Sequence, residues 1–409
     1  MIIVPLGVAS ATPTVTRHLS SAALWREGSV YLFDCGENTQ MRMLQGGLKR
    51  SQIDCIFISH FDTDHYSGLI GLLSTLQLQR RERPIKLVGP KGLKDFVEWN
   101  FDFANIDLKY AVNYVELDED FEEERVIDED EFYVEARPLN HSAFCIGYRF
   151  QEKDRPGKVD AEKARKQGVT EDWQYKELKA GNDVELDDGS VVKSIDIVGH
   201  PRPGDSFAYI TDTKYCPNSV KLAKNTNILL HEATFTNDMA DKAEETGHST
   251  TSVAARVANE AKTKLLVITH FSARYTNEYV LLREARDDFF PTWIATELRP
   301  IFTDPTHERG IINRRVYLNK INDNSNKKNS GKKNRKKSKK KKRIRKRKKV
   351  KKASSRSGND SNKRKRRPKR SSSDKKRSKK DKDNKSDSNN GRKPKSITPR
   401  SPFDDFSRF

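Results

Sequence analysis

Four side chains able to hold a divalent cation stand within six residues, His60-Phe61-Asp62-Thr63-Asp64-His65, directly after the apolar run 54–58. Imidazole and carboxylate groups offered from one loop at the end of a buried strand converge as a preformed cation site requires. Taken alone, such a cluster is also a common surface loop or helix cap. Three further candidates stand just past other apolar runs: His141 after 132–139, Asp212 after 207–211 and His270 after 264–269. If strand ends gather along one sheet edge, these come together with the first cluster. Seven oxygen and nitrogen donors exceed what one tetrahedral zinc needs and suit two ions that share a carboxylate. Two ions can clamp the attacking and leaving oxygens of a phosphoryl displacement, so phosphodiester hydrolysis is a natural use.

The elements that must position these groups are short runs rich in Val, Ile and Phe alternating with stretches of helical period, the pattern of a layered α/β or α+β domain. Strands are expected at 2–4, 22–25, 30–33, 54–58, 85–88, 132–136, 145–150, 207–211, 228–230 and 265–269. Helices are expected at 37–48, 66–80, 93–103, 252–261 and 278–288. That many strands call for two sheets. Asp187-Asp188-Gly189, between two alternating runs, marks a hairpin. Residues 116–131 are dominated by Asp and Glu and read as a solvated acidic loop. Residues 151–186 have too few apolar side chains to join a core and read as a protruding arm, or as an ordinary surface loop.

Charge divides the chain. Of its 409 residues, 79 are Lys or Arg and 58 are Asp or Glu. Residues 321–409 hold 39 of the basic and 8 of the acidic side chains, a net of +31, with only eight hydrophobic residues. Residues 1–320 therefore keep 40 basic and 50 acidic side chains, and their hydrophobic fraction of roughly 41% suits a compact domain. The tail cannot offset the entropy of folding and is expected to be disordered. Its run 332–352 should bind RNA or DNA non-specifically by counterion release, or else contact acidic protein surface. Phe403, Phe406 and Phe409 could form a short docking motif. No apolar run is long enough to span a bilayer and the first residues lack a signal-peptide pattern, so a cytoplasmic protein with no membrane partner is expected. Cys35, Cys55, Cys145 and Cys216 are scattered and read as buried free thiols.

The 60–65 cluster with His141, Asp212 and His270 resembles the metallo-β-lactamase superfamily. Further segments resemble the ribonuclease Z family of tRNA 3′-processing endonucleases: Phe33-Asp34-Cys35-Gly36-Glu37 with Thr39-Gln40, His231-Glu232-Ala233-Thr234, Gly247-His248-Ser249-Thr250 and Thr269-His270-Phe271-Ser272-Ala273-Arg274-Tyr275. The resemblance covers residues 1 to about 300 and implies a four-layered αββα sandwich over 1–320. The activity it implies is a metal-dependent cut that removes the 3′ trailer of a tRNA precursor, leaving a 3′-hydroxyl on the tRNA and a 5′-phosphate on the trailer. One ion would be held by His60, Asp62 and His141, the other by Asp64, His65 and His270, with Asp212 bridging. Asp64 would also orient or deprotonate the attacking water.

By the same resemblance, Glu232 and His248 pair near the leaving group, where a carboxylate that fixes an imidazole lets it donate a proton. Without it, Glu232 reads as a buried ion-pair member and His248 as a helix-cap neighbour. The arm falls at the family's RNA-gripping exosite, which serves the partner subunit of a homodimer. Lys153, Arg155, Lys158, Lys176 and Lys179, with Arg17 and Arg274, would contact RNA and so position it. Three departures stand out. Asp62 replaces the usual His and favours a harder ion, so manganese becomes an alternative to zinc; Val15 and His18 stand where Lys and Asn are usual; the arm lacks a Gly-Pro element. Rival readings are a small-molecule phosphodiesterase or arylsulfatase of the same fold, which needs neither arm nor tail, and a non-catalytic RNA-binding relative, which has no need of so complete a ligand set.

Overall fold

Alternation along the strands decides the layering. In β1 (Ile2–Gly7), Ile2, Val4 and Leu6 pack in one apolar core while Ile3 packs in another. Successive side chains on a strand point to opposite faces, so this sheet must be covered on both sides. The computed structural model describes residues 1–303. The expected basic tail and the end of the expected body, 304–320, lie outside the described residues.

The first sheet contains β1, β2 (Ser21–Arg26), β3 (Ser29–Phe33), β4 (Ile53–Phe57), β5 (Ile85–Pro90) and β6 (Val112–Leu117) in that order, with a short last strand, Ile301–Phe302, beside β1. After β7 (Glu124–Asp128), β8 (Phe132–Pro138) and β9 (Ile146–Glu152) comes a small separate hairpin, β10 (Val184–Glu185) with β11 (Val191–Val192). The chain then enters β12 (Ser206–Ile210), β13 (Ile228–Glu232), β14 (Leu266–Thr269), β15 (Thr292–Ile294) and finally β16 (Ile301–Phe302). The second sheet runs β15-β14-β13-β12-β9-β8-β7.

Leu69, Leu72, Leu73 and Leu76 of the helix Leu69–Leu78, with Leu93, Val97 and Phe101 of Leu93–Phe103, cover the outer face of the first sheet. Helices Pro217–Ala223, Thr251–Ala261 and Tyr279–Asp288 cover the second. Between the sheets lie Phe33, Phe57, Tyr148, Phe150 and Phe207, all fully buried. Each such side chain contributes about 1.5–3 kcal/mol by leaving water. The architecture is the four-layered αββα sandwich that the resemblance implies.

All ten expected strands form, as does the hairpin around Asp187-Asp188-Gly189. The stretch 116–131 departs from a plain loop. Its middle forms β7, paired antiparallel to β8, with Val126 and Ile127 buried. The arm also departs from expectation. It is inserted between β9 and β12, so it continues past 186 to residue 205, and it encloses a small core of its own from Ala164, Val169, Leu178, Val184, Val192 and Ile197. All four cysteines are buried and free. No helix among the described residues is long and apolar enough to cross a membrane.

Parallel pairing is what builds the site. β3 and β4 run parallel with Phe33 opposite Phe57, while β12, β13 and β14 run parallel with Ile210 opposite His231 and Glu232 opposite Thr269. Their carboxyl ends therefore share one edge, and the residues that follow, Asp34, His60, Asp212 and His270, emerge there.

Candidate metal centre and active site

All seven residues singled out as metal ligands meet at that edge. His60, Asp62, His141 and Asp212 form one group whose donor atoms lie within 4.8 Å of one another, and Asp64, His65 and His270 form a second. Asp212 faces both. Its Oδ2 is 3.6 Å from His60 Nε2, and its Oδ1 is 3.4 Å from His65 Nε2 and 3.1 Å from His270 Nε2. In the first group Asp62 Oδ2 lies 3.6 Å from His60 Nε2 and 3.5 Å from His141 Nε2. In the second, Asp64 Oδ2 lies 3.3 Å from His65 Nε2 and 3.5 Å from His270 Nε2.

The other ring nitrogen of each histidine is already engaged. His65 Nδ1 meets Asp34 Oδ2 at 2.6 Å, His60 Nδ1 meets Ser59 Oγ at 2.9 Å, His141 Nδ1 meets the Gly247 carbonyl at 2.8 Å, and His270 Nδ1 meets Thr234 Oγ1 at 2.9 Å. This pattern fixes the tautomer and turns every Nε2 inward. The Nε2 atoms of His60, His65 and His270 are buried without a hydrogen-bond partner. Buried polar nitrogens are rarely left so, and three aimed at one spot beside three carboxylates fit divalent cations. Gly247 is required for the His141 contact, because a Cβ there would stand 2.7 Å from His141 Nδ1 and the backbone has φ +78°.

The fields inside the cluster agree. Burial opposes charging of His65, yet Asp212 and Asp34 hold its pKa well above the usual imidazole range. Burial would likewise raise Asp212, but His270 and His65 outweigh it and keep the carboxylate ionised. The neighbouring imidazoles of His141 and His60 hold Asp62 below the normal carboxylate range. The carboxylates of the cluster are held ionised by positive charge beside them, a place that divalent cations can take over from the imidazoles.

Asp34 stands in one of the segments that carry the family resemblance, but no role was assigned to it from the sequence. Its carboxylate accepts from Ser59 N–H at 2.8 Å, Ser59 Oγ at 2.9 Å and Tyr209 Oη at 2.8 Å, besides His65. Besides that segment, the sequence signal is an acid placed directly after a buried strand. Ala11 N–H donates to Asp64 Oδ2 at 2.8 Å, so the backbone of the 9–19 loop orients that carboxylate.

Glu232 and His248 also meet, His248 Nδ1 lying 3.1 Å from Glu232 Oε1. Glu232 is fully buried and accepts from Thr213 N–H at 2.9 Å and from Thr234 N–H and Oγ1 at 3.1 and 2.7 Å. Burial opposes protonation of His248, but Glu232 and then Asp212 raise its pKa to about 9. His248 Nδ1 stands 3.9 Å from Asp212 Oδ2, at the border of the metal cluster.

The expected RNA-contact residues sort differently. Lys158, Lys176 and Lys179 are exposed on the arm and Arg274 is exposed near the site, over the Phe235 ring at 4.9 Å. Arg17 is buried and donates to the carbonyls of Tyr275 at 2.7 Å and Ser272 at 3.3 Å, so it ties two loops together and is not presented to a phosphate. Lys153 pairs with Asp128 at 2.8 Å and Arg155 with Glu152, both at the base of the arm.

An αββα sandwich with a His and Asp cluster at the edge where parallel strands end defines a metallo-β-lactamase-fold hydrolase. A profile described as "Beta-lactamase superfamily domain" matches residues 194–271, and one described as "Anti-Pycsar protein Apyc1" matches 1–137. Ribonuclease Z of Salinibacter ruber is 43% identical over 304 residues, covering 74% of this chain and 94% of that protein, and ribonuclease Z of Bacillus cereus is 38% identical over 299 residues, covering 72% and 96%. The chain belongs to the ribonuclease Z family. Among solved structures, the short form of human tRNase Z aligns with TM-score 0.54 and 28% identity over 74% of this chain and all of that one. The YhfI protein of Bacillus subtilis shares the fold, with TM-score 0.52 and 17% identity over 73% of this chain and 98% of that one.

Proposed function

We propose that the protein is a metal-dependent endoribonuclease that cleaves tRNA precursors at the 3′ side and releases the trailer. The observation that carries this reading is Asp212, which presents one carboxylate oxygen to each of two His and Asp groups in a chain of this family. His60, Asp62, His141 and Asp212 would hold one ion, and Asp64, His65, His270 and Asp212 the other. Divalent ions there would polarise the phosphodiester and lower the pKa of a water molecule.

The chain's own groups do the rest. Asp64, held by the Ala11 amide, orients the attacking water toward phosphorus. As the bond to the tRNA 3′ oxygen breaks, that oxygen needs a proton. Glu232 occupies His248 Nδ1, which leaves Nε2 as the nitrogen that donates it. The products are a tRNA 3′-hydroxyl and a trailer 5′-phosphate. Each group offers two imidazoles, which suit zinc, and manganese is the alternative because Asp62 puts a hard carboxylate where the family usually has a His. Lys158, Lys176, Lys179 and Arg274 would contact RNA phosphates. In this reading the protein is a cytoplasmic homodimer, and its basic tail adds non-specific nucleic-acid affinity.

The test is incubation of the metal-loaded full chain with a precursor tRNA bearing a 3′ trailer, followed by mapping of both new ends. One cut near the tRNA 3′ end with the stated termini is expected. Uncut precursor alongside ready hydrolysis of small phosphodiesters would favour the small-molecule rival.

Two substitutions probe the ligand set. Asp62→His should preserve turnover and shift preference toward zinc, read by activity across a metal series; a correctly folded but inactive variant would mean the site requires the carboxylate. Asp34→Asn should lower divalent-ion affinity about 10- to 100-fold, because His65 loses the carboxylate that orients it. Competition with a chromophoric chelator measures this, and unchanged affinity would show that Ser59 and Tyr209 suffice.

A further inference from the structure

The arm is a stalk with a defined root. Its two legs pair backbone to backbone: Arg155 and Arg202 exchange N–H to carbonyl bonds of 2.9 and 2.8 Å, Gly199 N–H donates to the Lys158 carbonyl at 3.0 Å, and Asp160 N–H donates to the Ile197 carbonyl at 2.9 Å. The legs approach so closely that a Cβ on Gly157 would fall 1.8 Å from the Gly199 carbonyl oxygen. A loop without fixed shape would show no such zipper.

At the root sits Glu152, the last residue of β9, only 3% exposed. Its Oε1 accepts from Arg26 Nε at 2.8 Å, while Oε2 accepts from the Arg155 guanidinium on the outgoing leg and from Asp205 N–H, at 3.4 Å, on the returning leg. Arg26 ends β2, in the opposite sheet. It is itself buried, also binds Glu131 at 2.6 Å, and lies 5.2 Å from the centre of the Phe132 ring. One carboxylate thus joins both legs of the arm to the far sheet.

A buried ion pair adds little net stability over a well-packed apolar pair, because desolvation offsets most of the attraction. What it does supply is direction: the guanidinium fork accepts carboxylates only along fixed lines. We infer that the Arg26–Glu152 pair is a positioning device that sets the angle of the arm relative to the metal cluster. It thereby decides how well a large folded RNA, but not a small ester, is presented for cleavage. This inference rests on the reading that the arm holds RNA.

The test compares the full chain with Glu152→Gln and Arg26→Met on two substrates, precursor tRNA and bis(p-nitrophenyl) phosphate. Precursor cleavage should fall about 10- to 100-fold in kcat/KM, mainly through kcat, with the small ester within about twofold, since misplacement of bound substrate by an ångström has effects of that order. Arg26→Lys, which keeps the charge without the fork, should recover part of the loss; if Arg26→Met or Glu152→Gln fails to fold, it carries the comparison against the parent chain. Independently, spin labels at Lys176→Cys on the arm and Asp102→Cys on the body report the arm's angle, and the native cysteines are buried and will not compete. The distance distribution should be narrow in the parent chain and broaden in each variant. Unchanged precursor cleavage, equal loss on both substrates, or an unbroadened distribution would overturn the inference. An intact chain that cuts no precursor tRNA would sink the functional reading instead, and the distance measurement would still decide the role of the pair.

Discussion

Deleting the arm, residues 153–205, and joining Glu152 to Ser206 through a short Gly-Ser turn should lower kcat/KM for precursor tRNA by about 10²-fold or more, while hydrolysis of a small phosphodiester stays within about threefold. The closure is sterically reasonable because β9 and β12 are antiparallel neighbours, with Gln151 opposite Ser206. The body should fold without the arm, since the arm's apolar residues pack in a cluster separate from both larger cores. Neither the seven clustered ligands nor the Glu232 and His248 pair lies in the deleted segment. A large RNA differs from a small ester in that its scissile bond must be placed by contacts far from it, and that remote binding energy is what the deletion removes. Equal loss on both substrates from a correctly folded deletion would contradict the division of labour between arm and cluster.

The second large effect belongs to Asp212. Asp212→Ala should reduce divalent-ion content from two to at most one per chain and lower turnover roughly 10³-fold, because the carboxylate that faces both groups is lost along with the charge compensation it provides. Elemental analysis on the parent and the variant, with the melting temperature as a check on folding, measures the first effect; single-turnover cleavage measures the second. The substitution also removes the carboxylate that the Nε2 atoms of His60, His65 and His270 now face. Two ions retained with turnover intact would show that the bridge is dispensable.

Local chemistry made much of this protein legible before any fold was known. Four ligands within six residues need only one loop to converge, and apolar runs alternating with stretches of helical period mark the strands and call for two sheets, while the four-layered order came from the family resemblance. His141, Asp212 and His270 were recognisable by a local rule as well, each standing just past an apolar run. Short or charged elements were not. β7 lies in an acidic stretch and exists because β8 is there to pair with it, and β16 is two residues long beside β1. The contacts that orient the ligands and the root of the arm were hidden for the same reason: Asp34 reaches His65 across 31 positions and Tyr209 across 175, Thr234 reaches His270 across 36, and at the arm Arg26 reaches Glu152 across 126. Nothing in a sequence separates an arginine that meets phosphate from one that, like Arg17, satisfies two carbonyls, because the difference lies in which loop folds against it. Residue types and spacing along the chain determined the kind of chemistry and the presence of two sheets to carry it. Tertiary structure decided the rest, by placing partners distant in sequence within 3 Å of His65, His141 and His270 and so choosing which nitrogen each turns into the cluster.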